Sequence, residues 1–332
     1  MIQLFLLPLV FLGPSKIIAL ESKETPLKRI EHASRGENGG FLAAIDTTLW
    51  HWDSSGKLLR KIDCRGKSED ELVSLMWYHW DGNYYLLGNG ELQMVTLFDR
   101  QGHFLSRSSC EYRNLIGLGT QTLALDYSGY DVRAHPFPRV LQEIELEVRE
   151  NSLSFSKLPL LFKKVSQRQV NYRLNNKMVW VVKEGDTYLV ADELEPKILI
   201  YDQAAREAES GIGNNQPYVP EHIPLQLTQY VLPMANPRME SGMTPGAWLA
   251  SWSQINFFGI AANGFLVGYT SPDPNREAEQ VQVAELLKED GTTTGKTVVV
   301  RGRILGNDKN EVYFIVPETG NGRHFAVHVY DL

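Results

Sequence analysis

Apolar positions along the chain come in short runs separated by turn residues. Tyr84 to Leu87, Met94 to Phe98 and Ile198 to Tyr201 are β-branched or aromatic, and Asp-Gly, Gly-Asn or Asn-Gly punctuates them. That is the pattern of strands joined by tight turns. Helical spacing is confined to weak stretches at Asp202 to Ser210 and Val281 to Glu289. The chain is predicted to be all-β.

The runs repeat. DSSGKLLRKIDC, from Asp53 to Cys64, and DRQGHFLSRSSC, from Asp99 to Cys110, share the form aromatic-Asp-x-x-Gly-x-x-Leu and a terminal cysteine at a spacing of 46 residues. A second alignment, at an offset of 103, pairs Leu75–Asp99 with Met178–Asp202. It matches Trp77 with Trp180, Gly82 with Gly185, Tyr85 with Tyr188, Leu86 with Leu189 and Phe98 with Tyr201.

Four strands recurring at such a period predict a β-propeller, because stacked meanders bury faces that a lone meander leaves wet. Six four-stranded antiparallel blades are expected. The first lies near 41–63, the second at 73–108, the third at 114–158 and the fourth at 177–210. The fifth begins at Ile255 and uses Val281 to Leu287; the sixth uses Ile304, Val312 to Val316 and Phe325 to Tyr330. The chain stops at Tyr330-Asp331-Leu332, the point where earlier blades enter their outermost strand. An N-terminal strand, Pro26 to His32, is therefore expected to complete the last blade, since closure removes exposed edges.

The aromatic-Asp-x-x-Gly junctions and the link Arg65–Leu72, RGKSEDEL, resemble the extracytoplasmic six-bladed β-propeller proteins of bacteria, the NHL-like and TolB-like group. The resemblance covers about 30–331 and implies a fold without implying a substrate. Ala205 stands where the fourth blade should carry glycine, and the third blade has no recognisable junction.

The N-terminal run MIQLFLLPLVFLG turns abruptly polar after Leu20, which fits the hydrophobic region of a secretory signal better than a membrane span. Residues 1–20 are assigned to that signal, with Ile17-x-Ala19 as the cleavage site, and 26–332 to one propeller domain. Export to the periplasm or exterior follows. The net charge of −7 argues against nucleic acid as a partner, and no stable membrane span is expected beyond the signal.

Candidate chemistry is sparse. The two cysteines end equivalent outer strands, roughly 14 Å from the first strand at ~4.8 Å per strand, whereas a disulfide needs Cα atoms within about 7 Å. They are read as unbridged small apolar residues. His324 and His328 stand four apart on a strand, about 13 Å along it, too far to share a metal. HWDGN and KEGD read as tight turns, and Asp192, Glu193 and Glu195 cluster after a strand. Trp77 and Trp180 are assigned to inter-blade packing.

The irregular region is 211–254, with its six prolines. A long loop in a compact domain is usually functional, and tryptophan, tyrosine and arginine are over-represented at binding hot spots. Tyr218, Arg238, Trp248 and Trp252 are the candidate ligand-binding residues. No catalytic residue and no cofactor is expected. The leading expectation is a binding or scaffolding propeller. The alternative is a metal-dependent lactonase-like hydrolase, holding a divalent cation in the central channel by side chains from several blades.

Overall fold

A computed structural model of the chain describes residues 13–22, 30–45, 47–63, 75, 77–89, 94–109, 114–117, 122–128, 138–149, 152–165, 179–192, 195–202, 221–232, 251–273, 275, 279–318 and 324–332. The described strands form six four-stranded antiparallel sheets, and the architecture is a β-propeller. Sheet one holds β2 (Ile30–Arg35), β3 (Phe41–Ile45), β4 (Thr48–Trp52) and β5 (Leu58–Asp63). Sheet two holds β6 (Trp77–Trp80), β7 (Tyr85–Asn89), β8 (Met94–Phe98) and β9 (Phe104–Ser109). Sheet three holds β10 (Asn114–Gly117), β11 (Thr122–Ser128), β12 (Pro138–Arg149) and β13 (Ser152–Val165).

Sheet four is built from β14 (Val179–Glu184), β15 (Thr187–Asp192), β16 (Lys197–Tyr201) and β17 (Glu221–Pro224). Sheet five follows with β18 (Gln254–Ala261), β19 (Gly264–Pro272), β20 (Gln280–Leu287) and β21 (Thr293–Val300). Sheet six takes β22 (Arg303–Asp308), β23 (Glu311–Glu318) and β24 (His324–Asp331) from the C-terminus. Its fourth strand is β1, Lys16–Ala19, which pairs antiparallel with β24 from Lys16↔Val329 to Ala19↔Ala326.

Two expectations change here. The strand beside β24 is not Pro26–His32; Ile30–Arg35 is instead the first strand of sheet one. Lys-Ile-Ile-Ala is the better strand former, having two β-branched residues and every backbone donor. It had been absorbed into the apolar leader. The fourth strand of sheet four is Glu221–Pro224, inside the region read as an insertion. Val281–Leu287, expected in the fifth blade, lies within β20, whose apolar residues pack on both faces despite the weak helical spacing of the stretch.

The offset of 103 survives as register. Trp77 sits opposite Gly88 and Trp180 opposite Ala191; Tyr85 faces Phe98 and Tyr188 faces Tyr201. One matched residue differs in its surroundings. A Cβ on Gly88 would lie 1.9 Å from the Trp77 indole, so that ring lies flat on its own sheet. Ala191 fills the same space with a methyl, and Trp180 leans toward Phe257 of sheet five, 6.3 Å between ring centroids. Inter-sheet packing therefore holds for Trp180.

The first strands of neighbouring sheets approach one another, β2 with β22, β18 with β22, β14 with β18 and β6 with β10. Apolar clusters fill the gaps. One joins Phe41, Trp50 and Trp52 of sheet one to Tyr313, Phe325 and Val327 of sheet six. Others join sheets one and two, four and five, and five and six. Sheet six thus packs against sheet one, and the core is a series of inter-sheet layers.

The turn between third and fourth strands carries a second contact. In sheets one, two and five the turn is closed alike: Gly56 N–H to Asp53 O, Gly102 N–H to Asp99 O and Gly291 N–H to Lys288 O, at 3.0, 2.9 and 2.9 Å. All three glycines have positive φ, 88°, 87° and 80°. A Cβ on Gly56 would stand 2.1 Å from Ala19 O, and one on Gly291 2.1 Å from Pro224 O. The turn of one sheet abuts the outer strand of the sheet before it.

Candidate functional site

Alternating strand direction sets both mouths of the propeller. Each sheet's fourth strand ends on the side where the next sheet's first strand begins, and Val231 and Ser253, just before β18, lie on that side. Leu225 N–H donates to Pro196 O at 2.8 Å and Gln226 N–H to Gly291 O at 2.9 Å, which carries the chain onto sheet five.

There a buried carboxylate receives it. Glu285, on β20, is fully buried. Its two oxygens accept the Thr228 backbone N–H at 3.1 and 3.0 Å, and it also bonds the Thr228 hydroxyl and, at 3.2 Å, the Thr297 hydroxyl. Burial pushes the Glu285 carboxyl above its ordinary value, against the opposing pull of the Thr228 hydrogen bonds. Next along, Gln229 N–H donates to the Tyr269 hydroxyl at 3.2 Å, and the Ser271 hydroxyl donates to Gln229 O at 2.8 Å. Tyr230 meets Tyr269 edge to face at 5.4 Å.

Val231 and Ser253 then close the base of a loop. Ser253 N–H donates to Val231 O, and Val231 N–H to the Ser253 hydroxyl, both at 2.9 Å. Residues 233–250 start and finish at this anchored pair. Val231 and Leu232 reach solvent with 44% and 54% of their surface exposed, the large apolar residues nearest the loop. Behind them, Asn256 and Gln282 exchange side-chain hydrogen bonds at 2.7 and 2.8 Å, and Gln280 donates to Trp252 O at 3.0 Å.

The candidate binding residues fare differently. Trp252 is buried, 5% exposed. Tyr218, Arg238 and Trp248 lie outside the described residues, as do Cys64 and Cys110. Glu285 carries no signal in the sequence, because a single Glu within a strand has no motif.

The opposite mouth, where first strands end, carries a second polar group. The Arg35 guanidinium lies 4.0 Å over the Tyr313 ring, and its Nη1 is 3.3 Å from Asp308 Oδ2. Tyr313 donates to Glu311 Oε2 at 2.5 Å. Burial and that hydrogen bond raise its hydroxyl to about 12, with Arg35 opposing. Between sheets one and two, His51 Nδ1 and the Tyr85 hydroxyl share a 2.6 Å hydrogen bond, and Trp80 stacks on Tyr85 at 4.1 Å. Burial first, then the Arg60 charge, lowers His51 to about 4, with Asp53 opposing.

Among the described residues, no three His, Cys, Asp or Glu side chains come together as a metal site. HWDGN and KEGD are hairpin turns, as expected, with Asp81 accepting the Asn83 and Tyr84 N–H groups and Gly82 and Gly185 at positive φ. Glu195 pairs with Lys197. Among the described residues no helix is long and apolar enough to cross a membrane.

No family model matches the chain, and no curated protein matches it. Solved structures do. A Bacteroides fragilis chain described as an exported protein superposes with a TM-score of 0.58 at 12% identity, covering 96% of this chain and 94% of that one. A member of the DUF4221 family from Bacteroides vulgatus gives 0.53 at 10% identity, covering 96% and 97%. Identities this low establish a shared fold and nothing finer.

Proposed function

We propose that this chain is a binding or scaffolding propeller of the bacterial envelope or exterior, with its ligand surface at the mouth where the Val231–Ser253 pair lies. We read the six sheets as six blades of one ring, of the NHL-like and TolB-like kind, closed by β1. Export is supported by the apolar leader and by the description of a fold neighbour as exported. The partner is a protein or small molecule; the net charge of −7 weighs against nucleic acid.

One observation carries the choice of face. The loop base is held by a fully buried carboxylate and a reciprocal Val231–Ser253 pair. A rigid base is what a binding loop needs, since ordering done in advance is not charged against affinity. Arg238 and Trp248 belong to the loop so anchored, and Val231 and Leu232 extend it with exposed apolar surface. Trp252 acts below them as support. No observation favours the lactonase reading, and it is not carried further.

The experiment replaces 233–250 with a short Gly-Ser bridge. Wild type and variant, both shown folded by near-ultraviolet circular dichroism, are used to capture partners from an envelope extract. Loss of capture supports the loop; the same partners held equally by the folded variant remove it from the site.

A further inference from the structure

The strand that completes sheet six begins inside the segment that the sequence assigns to the leader. Ile18 and Leu20 are buried, 7% and 5% exposed, in the layer between sheets six and one. Leu20 N–H donates to Phe325 O at 3.1 Å, Glu21 N–H to Gly56 O at 2.8 Å, and the Trp52 indole to Glu21 O at 2.8 Å.

The same four-residue arrangement occurs between sheets four and five. Ile223 and Pro224 lie on Gly291 as Ile18 and Ala19 lie on Gly56, with the isoleucine Cγ2 at 2.8 and 3.0 Å from the position of the missing Cβ. Leu225 and Leu20 each donate to the sheet they leave, and Gln226 and Glu21 each donate to the glycine carbonyl of the next. Ile18–Glu21 therefore occupies the place of an internal outer strand. A leader cut after Ala19 would discard that strand and leave β24 with an open edge.

We propose that the exported chain is processed between Ser15 and Lys16. A signal peptidase hydrolyses that peptide bond: water adds across the amide, leaving the carboxylate of Ser15 on the leader and the amine of Lys16 on the mature protein. Such enzymes require small residues one and three positions before the cut. Gly13-Pro14-Ser15 supplies both directly after the apolar run, whereas Ile17-Ile18-Ala19 puts a β-branched side chain at the earlier position. A cut after Gly13 would instead make the ring nitrogen of Pro14 the leaving amine. The mature protein then starts on the first residue of β1.

This inference rests on the export reading, and one experiment separates them. The full chain with its own leader is expressed in a Gram-negative host, and the form released from the envelope is analysed by intact mass and N-terminal sequencing. A start at Lys16 is expected. Precursor accumulates in Ser15→Leu, while Ala19→Leu still starts at Lys16. Exported protein that starts at Leu20 or elsewhere, or that keeps its leader, overturns the cut while leaving export standing. Precursor found only in the cytoplasm overturns both.

Discussion

Gly56 and Gly185 both adopt positive φ, yet their neighbourhoods differ. A methyl on Gly56 meets the Ala19 carbonyl at 2.1 Å; one on Gly185 meets nothing within 4 Å. Gly185→Ala is expected to cost about 1 kcal/mol from backbone strain alone. Gly56→Ala should cost about 2 kcal/mol or more, since the strand before it must also move. Urea midpoints of the two variants check the difference; equal losses would remove the contact from the explanation. The turn itself was legible, because Asp and Gly announce it. Its second contact was not, because it depends on a strand far away in sequence. In sheet five the Asp is replaced by Lys288 and the preceding aromatic by Leu287, so the motif disappears, yet Gly291 remains where space demands it.

A second residue-scale outcome concerns His51. Its folded value is about 4 and its ordinary value 6.5, so the unfolded chain takes up a proton first as the medium is acidified. Stability is fully present above pH 6.5, declines through the interval to about 4, and is lost below it. His51→Asn keeps a polar partner for Tyr85 but cannot titrate there. Urea midpoints at pH 7 and 5 should fall more in wild type than in this variant. A matching fall in both would mean that other groups set the slope, His32 first among them, since burial and Arg303 lower it to about 4 as well.

Elements were legible to different degrees. Strands β18 to β20 and β22 to β24 lie where the sequence places them, whereas β21 and β1 do not figure in that reading. β17 was hidden, since Glu-His-Ile-Pro has one apolar residue before its proline and lies amid six prolines. Position along β16 makes it a strand, not its own propensity. The same holds for the segment after it, which Glu285 secures. Glu285→Ala leaves the Thr228 N–H buried without its acceptor and is expected to cost about 3 kcal/mol. Glu285→Gln keeps one acceptor oxygen and should cost less. The pH response has its own sign: burial raises this carboxyl above 4.5, so its contribution is greatest below 4.5 and declines as pH rises toward the folded value. The melting-temperature advantage of wild type over Glu285→Gln should be larger at pH 4.5 than at pH 7, since the histidines act alike in both. An advantage that does not change with pH would remove Glu285 from the pH response.

Closure, as proposed above, is a property of the whole molecule, and the sequence points to it through the period of 46. The donor of the missing strand was misplaced because apolar residues that begin a chain suggest a leader before they suggest a sheet. Sheet six packs on sheet one through an apolar layer, and opening that seam requires parting it. A chain that starts at Leu20 lacks β1, and with it the buried Ile18, worth about 1.5–3 kcal/mol for a side chain of this kind. The loss should be local in its first effect. Backbone amides of β24 should exchange faster by hydrogen exchange mass spectrometry than in a chain starting at Lys16, while those of β16, in sheet four, change little below the unfolding transition. The exposed edge should also raise self-association in light scattering. Uniform acceleration across all sheets would show that β1 stabilises the ring as a whole without sealing this seam; no change in β24 would mean that its edge is covered by something other than β1.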